Sequence, residues 1–271
     1  MRMIVTADDY GISDAVTEGI LTCARRGCLT QTGLFTNMPG SEYAAKRMIK
    51  EFPHISLGQD INLVAYKPVT DYKLIPTLVD EDGYFIKSSR HRFLDKTDPH
   101  HMSYEDAYLE TENQVKKFIE FTGRKPDYLG GHAYICDATM RSIQDVAKKY
   151  GIPVVHDLFR ELNVVQKDTP WNALQERPDG TWGFGMEEQS KIHPLQSFIN
   201  GEVTFLQEAL EKDQTVDLHT HAGFVDEDLI RRSSFTLIRE KEADLLCSQE
   251  LLSWIEENHV ELVSLKDLAN R

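Results

Sequence analysis

Two adjacent carboxylates, Asp8 and Asp9, stand where an apolar run, Met3-Ile4-Val5-Thr6-Ala7, gives way to Tyr10-Gly11-Ile12-Ser13. Neighbouring carboxylates repel, and a folded chain keeps such a pair near its core when a cation or a proton offsets the charge. Further acidic, amide and imidazole side chains follow other short apolar runs: Asp60 and Asn62, His132, His156 with Asp157, and His219 with His221. Carboxylate and imidazole together are the ligand types of a divalent metal that keeps positions open for water and substrate. The pair at 8 and 9 is accordingly expected to hold a metal and a proton. Blander readings exist for each: a helix N-cap for Asp8 or Asp9, a loop carboxylate for Asp60, and a structural imidazole for His132. His219 and His221 are two apart, so on a strand they share a face.

The elements that position these residues alternate. Strands are expected at 3–7, 31–36, 55–62, 128–131, 153–156, 215–220 and 260–263, and helices at 13–26, 41–52, 104–121, 138–150, 195–210 and 248–258. Such βαβα alternation predicts parallel strands with crossover helices. No Gly-x-Gly-x-x-Gly follows the first strand, so the expected fold is α/β, an irregular TIM-like (β/α) barrel. It is read as one domain over residues 1–271 with long βα insertions. Active sites of α/β folds lie at the carboxyl ends of their strands, where the Asp and His residues fall. Segments 67–101 and 162–194 interrupt the rhythm and are expected to build a pocket rim, with Tyr84, Phe85, Trp171 and Trp182 as platforms for sugar rings.

The chain has 271 residues, 44 acidic against 30 basic, and a formal charge of −14. Such an excess disfavours nucleic acid and anionic membranes as partners. Four cysteines show no CxxC spacing, so a zinc knuckle or disulfide framework gains no support. No apolar run reaches the roughly 18 residues of a membrane span, no leader pattern opens the sequence, and a cytoplasmic location is expected. A small carbohydrate is the expected partner, and a homodimer is compatible with the sequence.

The motifs resemble those of the YdjC-like family, which includes chitooligosaccharide and hopanoid-pathway deacetylases. "IVTADDYGIS", "GRKPDYLGGH" and "LHTHAGFVDED" carry the resemblance, with "LVDEDGYF" and "REKEADLL" as less specific blocks. It implies an irregular α/β barrel that uses a divalent metal to remove N-acetyl groups from amino sugars. Carried over by position, the metal ligands would be Asp9, His132 and Asp60, with Asp8 as catalytic base and His221 as general acid or oxyanion partner. Tyr134, Asn62 and His219 would contact substrate, and His219 is the alternative to His221. The family's Gly-x-His block here reads Gly58-Gln59-Asp60, its histidine run reads His132-Ala133-Tyr134-Ile135-Cys136, and its proline after the late histidine is Ala222. A two-carboxylate, one-imidazole set is harder than the usual one, which favours magnesium or manganese with zinc still admissible. Two rivals follow: a sugar-binding or regulatory barrel without catalysis, and a phosphosugar isomerase, for which no basic cluster marks a strand end.

Overall fold

A computed structural model describes residues 1–167, 169, 171, 175–176, 182–183 and 185–269, with backbone alone at 175–176 and 182–183. The first half runs β1 (Arg2–Tyr10), α1 (Asp14–Arg26), β2 (Gln31–Leu34), α2 (Ser41–Glu51), β3 (Ser56–Ile61), a single 3-10 turn (Tyr72–Leu74), α3 (Ser88–Leu94), α4 (Tyr104–Thr122), β4 (Leu129–Gly131) and α5 (Asp137–Tyr150). Then come α6 (Val155–Glu161), β5 (Val164–Gln166), the short pair β6 (Gln175–Glu176) and β7 (Trp182–Gly183), α7 (Met186–Lys191), α8 (Pro194–Ile199) and α9 (Thr204–Glu211). The chain closes with β8 (Thr215–Thr220), α10 (Glu227–Arg232), α11 (Leu237–Leu246), α12 (Gln249–Glu257), β9 (Glu261–Leu262) and α13 (Leu265–Ala269).

Strands β4-β3-β2-β1-β8-β5 lie side by side, all parallel, and β9 joins the start of β1. Alternation along β1 sets the layers. Met3, Val5 and Ala7 pack outward with Val16, Ile20 and Cys23 of α1 and with Ala44, Ala45 and Met48 of α2. Ile4 points to the concave side, among Tyr128, Phe159, Val263, Leu265 and Leu268. α1 starts where the Ser13 hydroxyl accepts the Val16 N–H at 3.2 Å, a side-chain cap for an otherwise unpaired donor. In α5 the buried Ile143, Val146 and Ala147 recur at helical spacing, which puts one stripe on the core.

The sheet is a half-barrel. Among the described residues no pairing joins β4 to β5, so the expected irregular TIM-like barrel takes the form of a distorted, open half-barrel. The strand expected at 153–156 shrinks to one parallel bridge, Val154 with Leu129. Pro153 has no N–H to give the ladder, though its carbonyl accepts the Leu129 N–H at 2.9 Å, and helix α6 begins at the next turn. Phe159 of α6, with Val155, Leu158 and Leu162, then fills the open side. The helix expected over 195–210 is two helices, since Asn200 and Gly201 interrupt it and Gly201 adopts φ +73°, a conformation that favours glycine. Segment 67–101 is anchored from α4. Buried Glu110 accepts the N–H groups of Val69 and Thr70, each at 2.9 Å, and Asp106 accepts that of Thr77 at 2.9 Å. Among the described residues no helix is long and apolar enough to cross a membrane.

Two strand glycines make room on the concave face. A Cβ on Gly58 would overlap the Tyr128 ring, and one on Gly33 would overlap the Asp60 carboxylate. Gly58→Ala is therefore expected to lower unfolding free energy by about 1–3 kcal/mol, the usual cost of overpacking. Denaturant titration checks this, and Tyr128→Leu in the same chain should show favourable coupling in a double-mutant cycle. Additive losses would mean that the ring can move aside.

Candidate active site

A bulge near the end of β1 brings both adjacent carboxylates into one site. On a regular strand Asp8 and Asp9 would point to opposite faces. Here the β1–β2 register shifts between Ala7 and Tyr10, and Asp9 takes φ +69°, a left-handed conformation that Asp tolerates better than most residues. The bulge frees the Asp9 N–H, which donates to Asp60 Oδ2 at 3.1 Å. Asp60 comes from β3 beside Gly130 of β4, and His132 follows β4.

Asp9 sits between two cationic or imidazole partners. Its Oδ1 lies 2.9 Å from His132 Nδ1, and its Oδ2 receives Arg239 Nη2 at 2.5 Å. Arg239 projects from α11 and is itself buried; its Nε donates to the Phe235 carbonyl at 2.8 Å and its Nη1 to the His221 carbonyl at 3.3 Å. Burial pushes the Asp9 carboxyl up, but His132 and Arg239 outweigh it and hold the group well below the usual carboxylate range. Asp60 goes the other way: burial first, then Asp8 and Asp9, push it well above that range.

Asp8 faces a second histidine. Its Oδ2 is 3.3 Å from His219 Nε2, whose ring presents Nδ1 to Asp217 Oδ2 at 3.4 Å. Asp217 is fixed by the Thr6 hydroxyl at 2.7 Å and the Gln166 amide at 3.3 Å, and Gln31 donates to Thr6 Oγ1 at 2.9 Å. Burial raises Asp8 to about 6 even though His219 opposes it. His219 is pushed up to about 10, because Asp8 and Asp217 overcome its burial. His221 differs. Burial lowers it to about 3, its Nδ1 has no hydrogen-bond partner, and its ring packs 5.1 Å from that of Phe235. His219 is thus held toward its protonated form and His221 toward its neutral one.

A cavity of about 120 Å³ lies under these groups, lined in part by Asp8, Asp60, Asp217 and His219. His156 also lines it, from helix α6 and not from a strand end, while Asp157 pairs on the surface with Arg160 at 2.8 Å. Asn62 and Tyr134 do not line it, and neither do Asp9, His132 and His221. The Asn62 amide organises its own turn, accepting from the Val64 and Ala65 N–H groups and donating to the Ala65 carbonyl. Tyr134 stacks on His91 at 4.9 Å and donates its hydroxyl to Asp95 at 2.7 Å. Of the expected aromatic platforms, Tyr84 is exposed, whereas Phe85 and Trp171 are buried. The side chain of Trp182 lies outside the described residues.

The family resemblance implies a divalent metal, and the donors can be tested for it. Asp9 Oδ1 is buried without a hydrogen bond yet faces His132 Nδ1, as two donors sharing a cation do. The surrounding carboxylates supply hard oxygen chemistry. Asp9 and His132 thus fit a cation, with the Asp60 carboxyl on the Asp9 amide beside them. Among the described residues no three His, Cys, Asp or Glu side chains converge in a finished metal cluster.

Arg239, Asp217 and Glu242 escaped the sequence reading. Asp217 and His219 fall two apart on β8, with His221 just past its end, a same-face spacing that would have exposed Asp217. Arg239 and Glu242 lie in the helical block "REKEADLL", which carries part of the family resemblance but by itself assigns neither residue a role. Glu242 is buried and accepts the Trp171 indole N–H at 2.8 Å and the His221 N–H at 2.7 Å. Burial raises it to about 7. Between the ordinary carboxylate range and 7 the folded chain holds a proton there that the unfolded chain has lost, so this contribution to stability falls as pH rises. Glu242→Gln is expected to remove up to about 1.4 kcal/mol per pH unit of that slope between pH 5 and 7. Urea unfolding at a series of pH values checks it, and an unchanged slope would show that Glu242 titrates normally.

Residues 2–257 match the family of YdjC-like proteins. A carbohydrate deacetylase of Oceanobacillus iheyensis is 31% identical over 258 residues, covering 94% of this chain and 100% of that protein. Another carbohydrate deacetylase, from Clostridium beijerinckii, is 28% identical over 273 residues, covering 99% and 100%. In fold, the chain is similar to a crystal structure from Enterococcus faecalis V583 of a protein proposed to cleave cellobiose phosphate. That match has a TM-score of 0.73 at 22% identity and covers 98% of each chain. With a family match across nearly its whole length and a full-length relative above 30% identity, the chain belongs to the YdjC-like family.

Proposed function

We propose that this protein is a divalent-metal-dependent carbohydrate deacetylase that removes N-acetyl groups from amino sugars. The observation that carries the reading is the bulge on β1, which sets Asp8 and Asp9 side by side with different partners. Asp9 faces His132, and Asp8 faces His219. Adjacent carboxylates held in unlike environments divide into a ligand and an acid–base group. The names of the full-length relatives support the same chemistry.

Asp9 and His132, with Asp60 adjacent, would hold the ion. When bound, it supplies Lewis acidity to an amide carbonyl and lowers the pKa of a water. Asp8 takes the proton from the attacking water. His219, held between Asp8 and Asp217, is the protonated group nearest that base and can return a proton to the departing amine. Of the two roles the resemblance implies for His221, its lowered pKa suits the oxyanion partner, a hydrogen bond toward the carbonyl oxygen, better than the general acid. Arg239 keeps Asp9 ionised and oriented.

Asp8→Asn should lower kcat on an acetylated amino sugar by about two to four orders of magnitude, the span of a lost general base. Its metal content and melting temperature should match the parent. Equal metal loss in Asp8→Asn and Asp9→Ala would show that the pair is divided wrongly.

Asp60 decides the choice of metal. Stripped protein is expected to gain more thermal stability and activity from manganese or magnesium than from zinc, and Asp60→His to shift both toward zinc. Metal-dependent melting separates binding from turnover. If Asp60→Ala leaves metal affinity unchanged, Asp60 is no ligand.

A further inference from the structure

Cys23 and Cys247 are far apart in sequence and adjacent in space. Cys23 is buried in the last turns of α1; Cys247 directly follows α11 and is partly exposed. Their sulfurs are 3.9 Å apart across a separation of 224 residues. The backbone holds them there. The ends of α1 and α11 meet so closely that a Cβ on Gly27 would overlap the Leu246 carbonyl oxygen, and the same carbonyl accepts the Cys28 N–H at 3.3 Å.

We propose that Cys23 and Cys247 are a redox-active dithiol that closes to an internal disulfide under a peroxide, tying α1 to the end of α11. The deacetylase reading plays no part in this inference. Closure from 3.9 Å to a bond of about 2.05 Å shortens the gap by about 1.9 Å. The more exposed sulfur reacts first: the Cys247 thiolate attacks one peroxide oxygen, the O–O bond breaks, and a sulfenic acid forms as hydroxide leaves. The Cys23 sulfur then attacks the Cys247 sulfur, the S–O bond breaks, and the departing hydroxide carries off the Cys23 proton as water. Two thiols lose two electrons, and hydrogen peroxide becomes two waters.

The local chemistry favours that order. The contact with Cys23 lowers the Cys247 thiol against its partial burial and Asp244, and Arg26 adds a smaller lowering. The same contact, with burial, raises Cys23 well above the usual thiol range. The thiol that is lowered is also the more exposed one, which an oxidant reaches first. Cys28 is buried, and its Sγ points to the Leu246 carbonyl at 3.6 Å, so it is not the partner. The link would fasten the helix that carries Arg239 and Glu242 to the helix that follows Asp8 and Asp9.

The test uses the full chain, fully reduced, freed of reductant and treated with hydrogen peroxide. Thiols counted in denaturant are expected to fall from four to two. Non-reducing peptide mapping should join the Cys23 and Cys247 peptides within one chain, and dithiothreitol should reverse the link. The oxidised form should melt several degrees higher than the reduced form, and Cys247→Ser and Cys23→Ala should both abolish the shift. Retention of all four thiols would overturn the proposal. So would a link through Cys28 or between chains, or overoxidation of Cys247 without any link.

Discussion

A buried ion pair between Asp9 and Arg239 fastens the first strand to a helix 230 residues away. Both side chains are almost completely excluded from water. Two charges taken out of water are tolerable only together: removing one partner of such a pair costs about 3–5 kcal/mol, because the other charge is left uncompensated. Arg239 also donates to the carbonyls of His221 and Phe235, so one guanidinium positions strand ends β1 and β8 at once. The Asp9 bulge is part of the same constraint. Its left-handed backbone costs on the order of 1–3 kcal/mol, and the bond from its freed N–H to Asp60, together with the ion pair, offsets that cost.

Charge compensation explains the division of labour in the site. Asp8, Asp9, Asp60 and Asp217 lie within one small region, against Arg239 and His219. The carboxylate with the best cationic partners, Asp9, stays ionised; the one without them, Asp60, is driven toward its neutral form. Asp8 falls between, near 6, where a carboxyl can exchange protons. The contrast between Asp9 and Asp60 arises from partner geometry within a few ångströms, since both are almost completely buried, whereas the Asp8 side chain is 23% exposed.

The half-barrel serves this arrangement by leaving one side open. Pro153 stops a further strand from forming beside β4, and α6 turns its apolar residues inward instead. Helix α6 closes the core with Phe159 and delivers His156 to the cavity wall. A side chain at a helix start replaces what a barrel strand would have contributed.

The sequence by itself determined the α/β alternation, the helix caps at Ser13 and Gly27, and the strand-end clustering of Asp8, Asp9, Asp60, His132 and His219. Those features follow from periodicity and local chemistry, which act between near neighbours. Tertiary structure alone decided whether the sheet closed, that Asp8 and Asp217 flank His219, and which loop groups Tyr134 and Asn62 bond. It also supplied Arg239 and Glu242, which look like ordinary helix-surface charges in the sequence. Their partners are Asp9 on β1, 230 residues from Arg239, and the His221 amide just after β8, 21 residues from Glu242. Only burial makes such a charge matter, because its energy depends on the surrounding dielectric and on a counter-charge brought within hydrogen-bond distance.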